Sequence, residues 1–191
     1  MRKILATIIF ILLTNSAAAK ENPPEVEEGI ASIKQENFLF SAESRVFADD
    51  GTPELLLKYK NISLDWIHRD DAENFFKVEV DEEIFSLMGT GVAWNVALNA
   101  VDGKNFAVLP SVGINLHMRI RPRLDFYVQF SGLTLGRRGH FSDFESGIKY
   151  FPQKNFSISA GWRQADFKLR RGGDRENFVS SGVFAGVRYD F

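Results

Sequence analysis

The 191-residue chain contains no cysteine, which excludes disulfides, thiolate metal sites and a thiol nucleophile. Its formal net charge is −2 at pH 7, so it exerts no broad electrostatic pull on nucleic acid. Phenylalanine is abundant at 18 residues, yet mean hydropathy is only −0.15. A strand protein in which alternate residues face lipid reconciles these two numbers.

Arg2 and Lys3 precede an apolar run at 4–13, and Ala17-Ala18-Ala19 offers small residues for cleavage. This order is that of a secretory signal peptide over residues 1–19. The run falls well short of the roughly 20 residues that a membrane-spanning helix needs. Residues 20–54 open with acidic residues around Pro23-Pro24 and are expected to form an N-terminal periplasmic segment. Within it, 37–47 can supply one extra strand.

From residue 55 the chain alternates strand and turn. Strands are expected at roughly 55–68, 75–86, 90–99, 105–118, 123–135, 141–150, 155–169 and 176–191. The last is the clearest. Val179, Ser181, Val183, Ala185, Val187, Tyr189 and Phe191 share one face, while Phe178, Ser180, Gly182, Phe184, Gly186, Arg188 and Asp190 share the other. Arg188 and Asp190 lie deep in this strand, where a soluble sandwich would keep apolar residues inside and turn the charges out. The opposite arrangement, charges inward and apolar residues toward lipid, fits a transmembrane barrel.

The fold class expected for residues 55–191 is therefore all-β, an eight-stranded antiparallel up-and-down transmembrane barrel, with ten strands if 37–47 joins the wall. An even count places both termini on the periplasmic side. Short turns at 88–89, 121–122 and 151–155 share that side, and polar loops at 69–74, 101–104, 136–139 and 170–177 face outward. The inner faces are expected to be polar. Asp65, Lys77, Glu79, Asp81, Asp125, Asp143, Glu145, Lys149, Arg163, Arg188 and Asp190 would form a structural interior network, since buried charges of mixed sign must pair.

The closing Gly186-Val187-Arg188-Tyr189-Asp190-Phe191 resembles the barrel-assembly signal of outer-membrane proteins, with Val187, Tyr189 and Phe191 as its apolar positions. Three stretches resemble the YfaZ-type family of small outer-membrane barrels: residues 65–71 (Asp65-Trp66-Ile67-His68-Arg69-Asp70-Asp71), Ser159-Ala160-Gly161-Trp162-Arg163 and residues 182–187. That resemblance implies a porin-like barrel in the bacterial outer membrane and brings with it no established catalytic residues.

His140-Phe141-Ser142 resembles the His-X-Ser motif of PagL-type lipid A deacylases. The likeness implies a serine that attacks a lipid A ester, helped by histidine and an acid. With Tyr150 set opposite Phe156, Phe144 falls opposite Trp162, Ser142 opposite Gln164 and His140 opposite Asp166, all on the lipid side. The motif continues with Asp143 where the family has asparagine, and polar residues are expected at a strand's outer end in any case. His68 and His117 lie apart from His140, without the spacing of a zinc site.

Arg137, Arg138, Arg170, Arg171 and Arg175 cluster on outward loops, and guanidinium pairs bidentately with the phosphates of lipopolysaccharide. The expected role is a non-enzymatic outer-membrane barrel, structural or binding lipopolysaccharide and envelope partners, without cofactor, metal or nucleic acid. It would meet the barrel-assembly machinery during biogenesis. A narrow porin-like channel and a lipid A esterase using His140 and Ser142 are the alternatives.

Overall fold

A computed structural model describes residues 40–69, 73–103, 106–171 and 174–191, and the side chains of 171–175 lie outside that description. The signal-peptide reading of 1–19 and the reading of residues 20–39 also lie outside it.

The chain forms one closed antiparallel barrel of ten strands. In order they are β1 (Phe40–Phe47), β2 (Pro53–Tyr59), β3 (Ile62–His68), β4 (Asn74–Leu87), β5 (Thr90–Asp102), β6 (Phe106–Arg121), β7 (Leu124–Thr134), β8 (Gly139–Gln153), β9 (Phe156–Arg171) and β10 (Asp174–Asp190). Each pairs with its sequence neighbours, and β1 closes the ring on β10, from Ser41 opposite Asp190 to Phe47 opposite Phe184.

Ten strands replace the expected eight for two local reasons. The stretch 55–68 folds back on itself at Lys60-Asn61, where Lys60 takes the left-handed conformation (φ 54°) that a two-residue hairpin turn requires. Residues of the 37–47 stretch supply β1, so the wall begins at Phe40 and not at residue 55. The count stays even, and both ends of the barrel's chain remain on one side.

The tight turns follow from local chemistry. Met88 (φ 50°) and Gly89 (φ 81°) join β4 to β5, and a Cβ on Gly89 would sit 3.0 Å from Arg119 Cβ. The β1–β2 turn is pinned by Thr52, whose backbone N–H donates to Asp50 Oδ1 at 2.9 Å and holds that carboxyl below its ordinary range.

Strand length is uneven. β1, β2 and β3 have 8, 7 and 7 residues, against 11 to 17 for the others. The short strands are staggered, as closure of a tilted sheet demands. β1 meets the terminal half of β10, and β3 meets the opposite half of β4. At the hairpin tip, Asp81 N–H donates to Asn61 O at 2.9 Å, and Lys58 Nζ reaches Asp81 Oδ2 at 2.6 Å.

The sides of the wall are inverted relative to a soluble protein. Outward side chains such as Leu98, Val112, Ile114, Phe130, Ile148 and Val183 are exposed, while Glu43, Arg45, Glu54, Lys77, Asp143, Glu145 and Arg163 are buried. Among the described residues, buried polar and charged side chains outnumber buried apolar ones.

The inner face is not uniformly polar, contrary to the sequence reading. At the end of the barrel away from the termini, Phe75 stacks on Phe141 (centroids 5.9 Å) and on Phe178 (5.3 Å), and Phe141 meets Phe167 edge-on at 6.4 Å. Ile67, Val101 and Leu109 complete this apolar layer across the lumen. Phenylalanine side chains are bulky enough to fill the width that two additional strands create. Truncating the layer is costly: Phe141→Ala should lower unfolding stability by about 3–5 kcal/mol, read as an earlier urea midpoint in lipid vesicles.

Candidate functional site: a charged lumen under an apolar plug

Below the phenylalanine layer, side chains from β2, β3 and β8 converge on Arg163 of β9. Its guanidinium is 2% exposed and is bound by Glu54 from β2, by Asp65 of β3 at 2.7 Å and by Asp143 of β8 at 2.8 Å. Glu145 adds a fourth carboxylate at 3.8 Å. A planar fork with five donors in fixed geometry can serve more acceptors at once than the three donors of a lysine ammonium.

The network extends sideways from this hub. Lys77 binds Glu79 at 2.6 Å and Asp143 at 3.2 Å, and Gln129 donates to Glu79 at 3.0 Å. Arg45 binds Glu43 at 2.7 Å and Glu145 at 2.9 Å and covers the Phe184 ring at 4.5 Å. Tyr127 donates to Glu145 at 2.8 Å, Ser159 donates to Glu43 at 2.7 Å, and Lys149 lies 3.5 Å from Glu43. Carboxylates outnumber cations in this set.

Of the residues expected inside, Asp65, Glu79, Glu145, Lys149 and Arg163 join the network, as do Lys77 and Asp143. Arg188 and Asp190 pair with each other at 2.7 Å at the terminal end of the barrel, and Asp125 pairs with Arg119 at 3.2 Å at the rim. Asp81 pairs with Lys58 at the hairpin tip instead of joining the hub. Sequence reasoning missed Glu43, Arg45 and Glu54. The signal was present, because Ser41, Glu43 and Arg45 alternate in β1, but their outward neighbours Ala42 and Ser44 give little apolar contrast.

On the outer face, Ser142 lies opposite Asp166 and His140 opposite Lys168. This register is two residues away from the one the sequence suggests, because β8 continues to Gln153, which faces Phe156 across a turn at Lys154-Asn155, and the irregularity between Tyr150 and Gln153 takes back one of the three residues gained. Phe144 consequently meets Trp162 diagonally, with ring centroids 5.8 Å apart. His140 Nε2 approaches Asp166 Oδ2 at 3.4 Å, a long contact, and Lys168 Nζ binds the same oxygen at 2.8 Å. Among the described residues, no hydrogen bond joins Ser142 to His140 or to Asp166. The three groups are neighbours without the linked geometry of an activated nucleophile.

Val187 is half exposed on the outer wall. The Tyr189 hydroxyl accepts from Asn155 Nδ2 at 2.7 Å. Phe191 packs on Phe40 (5.5 Å) and Tyr189 (4.9 Å), and its N–H donates to Phe40 O at 2.9 Å. The chain's last residue thus reinforces the β1–β10 seam. Arg137 and Arg138 form an exposed 3₁₀ turn, and Arg170 is exposed at the end of β9; the side chains of Arg171 and Arg175 lie outside the described residues.

The sequence matches no family model and no curated relative. Among solved structures, the barrel is similar to a KdgM porin in complex with disordered oligogalacturonate (12% identity, 79% of this chain and 99% of that one, TM-score 0.46). It is also similar to a NanC porin (12%, 80% and 100%, TM-score 0.47) and to Neisserial surface protein A (12%, 80% and 93%, TM-score 0.25). At these scores the likenesses carry no argument about activity, and the YfaZ-type resemblance has no family-model match behind it.

Arg163→Met would strand Glu54, Asp65 and Asp143 in the lumen, at a cost of about 3–5 kcal/mol. Adding Glu54→Gln to that variant should restore part of the loss, measured by urea unfolding of both.

Proposed function

We propose that the chain spans the bacterial outer membrane as a closed, non-enzymatic β-barrel that is exported by a signal peptide cleaved after Ala19. In this orientation the end bearing β1's start and Phe191 faces the periplasm, and the phenylalanine plug faces outward. The observation that carries the reading is the inversion of the wall, with aliphatic side chains exposed around a buried Arg163 network. A soluble barrel with that surface would aggregate, whereas hydrocarbon accepts it.

The lumen then serves stability and not passage. Phe75, Phe141, Phe167 and Phe178 are at most 1% exposed, and Arg163 below them is 2% exposed. Such a barrel presents its wall and rim to lipid, lipopolysaccharide and envelope partners.

A second reading, a narrow porin-like channel, draws on one observation. Below the plug the lumen is lined by charges of both signs with a carboxylate excess, the kind of lining that passes cations once a constriction opens. Planar-bilayer recording separates the two. The wild-type barrel should stay silent at all voltages, and Phe75→Ala/Phe141→Ala should give cation-preferring conductance. Steady conductance by the wild type would contradict the closed reading and establish the channel.

A further inference from the structure

The 3₁₀ turn Gly136–Arg138 and the far ends of β8, β9 and β10 enclose a cleft of about 410 Å³ at the outward rim. This lies within the roughly 300–1,000 Å³ typical of ligand sites. Arg137, His140, Lys168, Arg170, Glu176 and Asn177 contribute to its lining. The cationic bias is local, because the chain as a whole is slightly acidic.

Strand geometry explains the gathering. His140 and Lys168 are direct cross-strand partners on the lipid-facing side, and Arg170 follows Lys168 by two residues on the same face. Arg137 comes in from the turn above. Lys168 is held by Asp166 at 2.8 Å, and Glu176 is buried and engaged by the protein. Among the described residues, Arg137 and Arg170 are in no ion pair. Two exposed guanidinium groups lining one cavity supply the kind of donors that phosphate takes bidentately.

The cleft's surroundings narrow the ligand further. Beneath it the outer wall carries Ser142, Asp166 and Gln164, flanked by Leu135 at 43% and Val179 at 40% exposure, and the Phe144–Trp162 pair lies deeper on the same side. A ligand with its phosphate between Arg137 and Arg170 would lay any acyl chains along this wall. We propose that the cleft binds the phosphate of an acylated, phosphorylated amphiphile in the outer leaflet, clamped by Arg137 and Arg170 with Lys168 as a third charge. The proposal rests on the outer-membrane reading and adds to it a site and a ligand class. Free phosphate shares the headgroup chemistry but gains nothing from the wall.

The test uses the full-length mature chain folded in detergent micelles, with binding followed by native mass spectrometry. The probes are bis-phosphorylated lipid A, the same lipid after dephosphorylation, and inorganic phosphate. The wild type should bind the phosphorylated lipid at least about tenfold more tightly than Arg137→Ala/Arg170→Ala, since each tenfold is about 1.4 kcal/mol. Both proteins should bind the dephosphorylated lipid equally weakly, and Arg137→Lys/Arg170→Lys should recover part of the difference. Equal binding of phosphorylated lipid by wild type and alanine variant would overturn the cleft and leave the membrane reading intact. Inorganic phosphate binding as tightly as the lipid would overturn the lipid assignment. A heat-dependent gel shift confirms that each variant is folded; if the alanine variant lacks it, the lysine variant and the dephosphorylated lipid decide.

Discussion

Backbone pairing is the constraint on which this molecule depends. In hydrocarbon an unpaired N–H or C=O has no water to turn to, so a sheet survives only when its two edges meet. Here that meeting falls on β1 and β10, a seam of seven residue pairs. Phe40 and Phe191 pack with tilted rings at its terminal end, and the Phe191 N–H extends the ladder by one bond. The chain's final residues thus act as a structural clasp, which gives a physical reason for aromatic residues at alternate positions there.

Closure in turn decides what fills the inside. Once every second side chain points into a ring of ten strands, the interior must be either water or packed side chains. This chain packs it in two layers of opposite character. Bulky apolar rings close the half away from Phe40 and Phe191 without any polar group to satisfy. Around Arg163, acids from β2, β3 and β8 tie distant strands together across the lumen. Such an ion cluster need not exceed apolar packing in energy, and removing one member would leave the others unpaired in the lumen.

Much of the wall was legible in the sequence because period-two alternation survives wherever outward residues are large and apolar, as along β5, β6 and β10. It failed at β1 to β3. Strands of seven or eight residues leave few periods to read, and Lys60-Asn61 carries neither glycine nor proline to announce a turn. The interior network was legible where charges alternate with aliphatics, as at Lys77 and Glu79 beside Val78 and Val80. Glu43, Arg45 and Glu54 escaped because their neighbours are small or their strand was not seen. The phenylalanine plug escaped for another reason: alternation separates two faces but cannot say which apolar residues belong inside, and Phe75-Phe76 places one ring on each side. Register was the least accessible feature, since a turn tighter than expected, with Gln153 opposite Phe156, and an irregularity near Phe151-Pro152 together move Ser142 from Gln164 to Asp166 without changing any face.

The central claim is that the aliphatic outer wall is in contact with lipid chains, and the tryptophans report on it directly. All three project outward from β3, β5 and β9, with Trp94 and Trp162 43% and 38% exposed. Fluorescence of the folded barrel in vesicles of brominated phosphatidylcholine should be strongly quenched relative to unbrominated vesicles, and aqueous iodide should have little effect. Quenching by iodide with none from the brominated chains would contradict the inverted wall and the membrane assignment built on it.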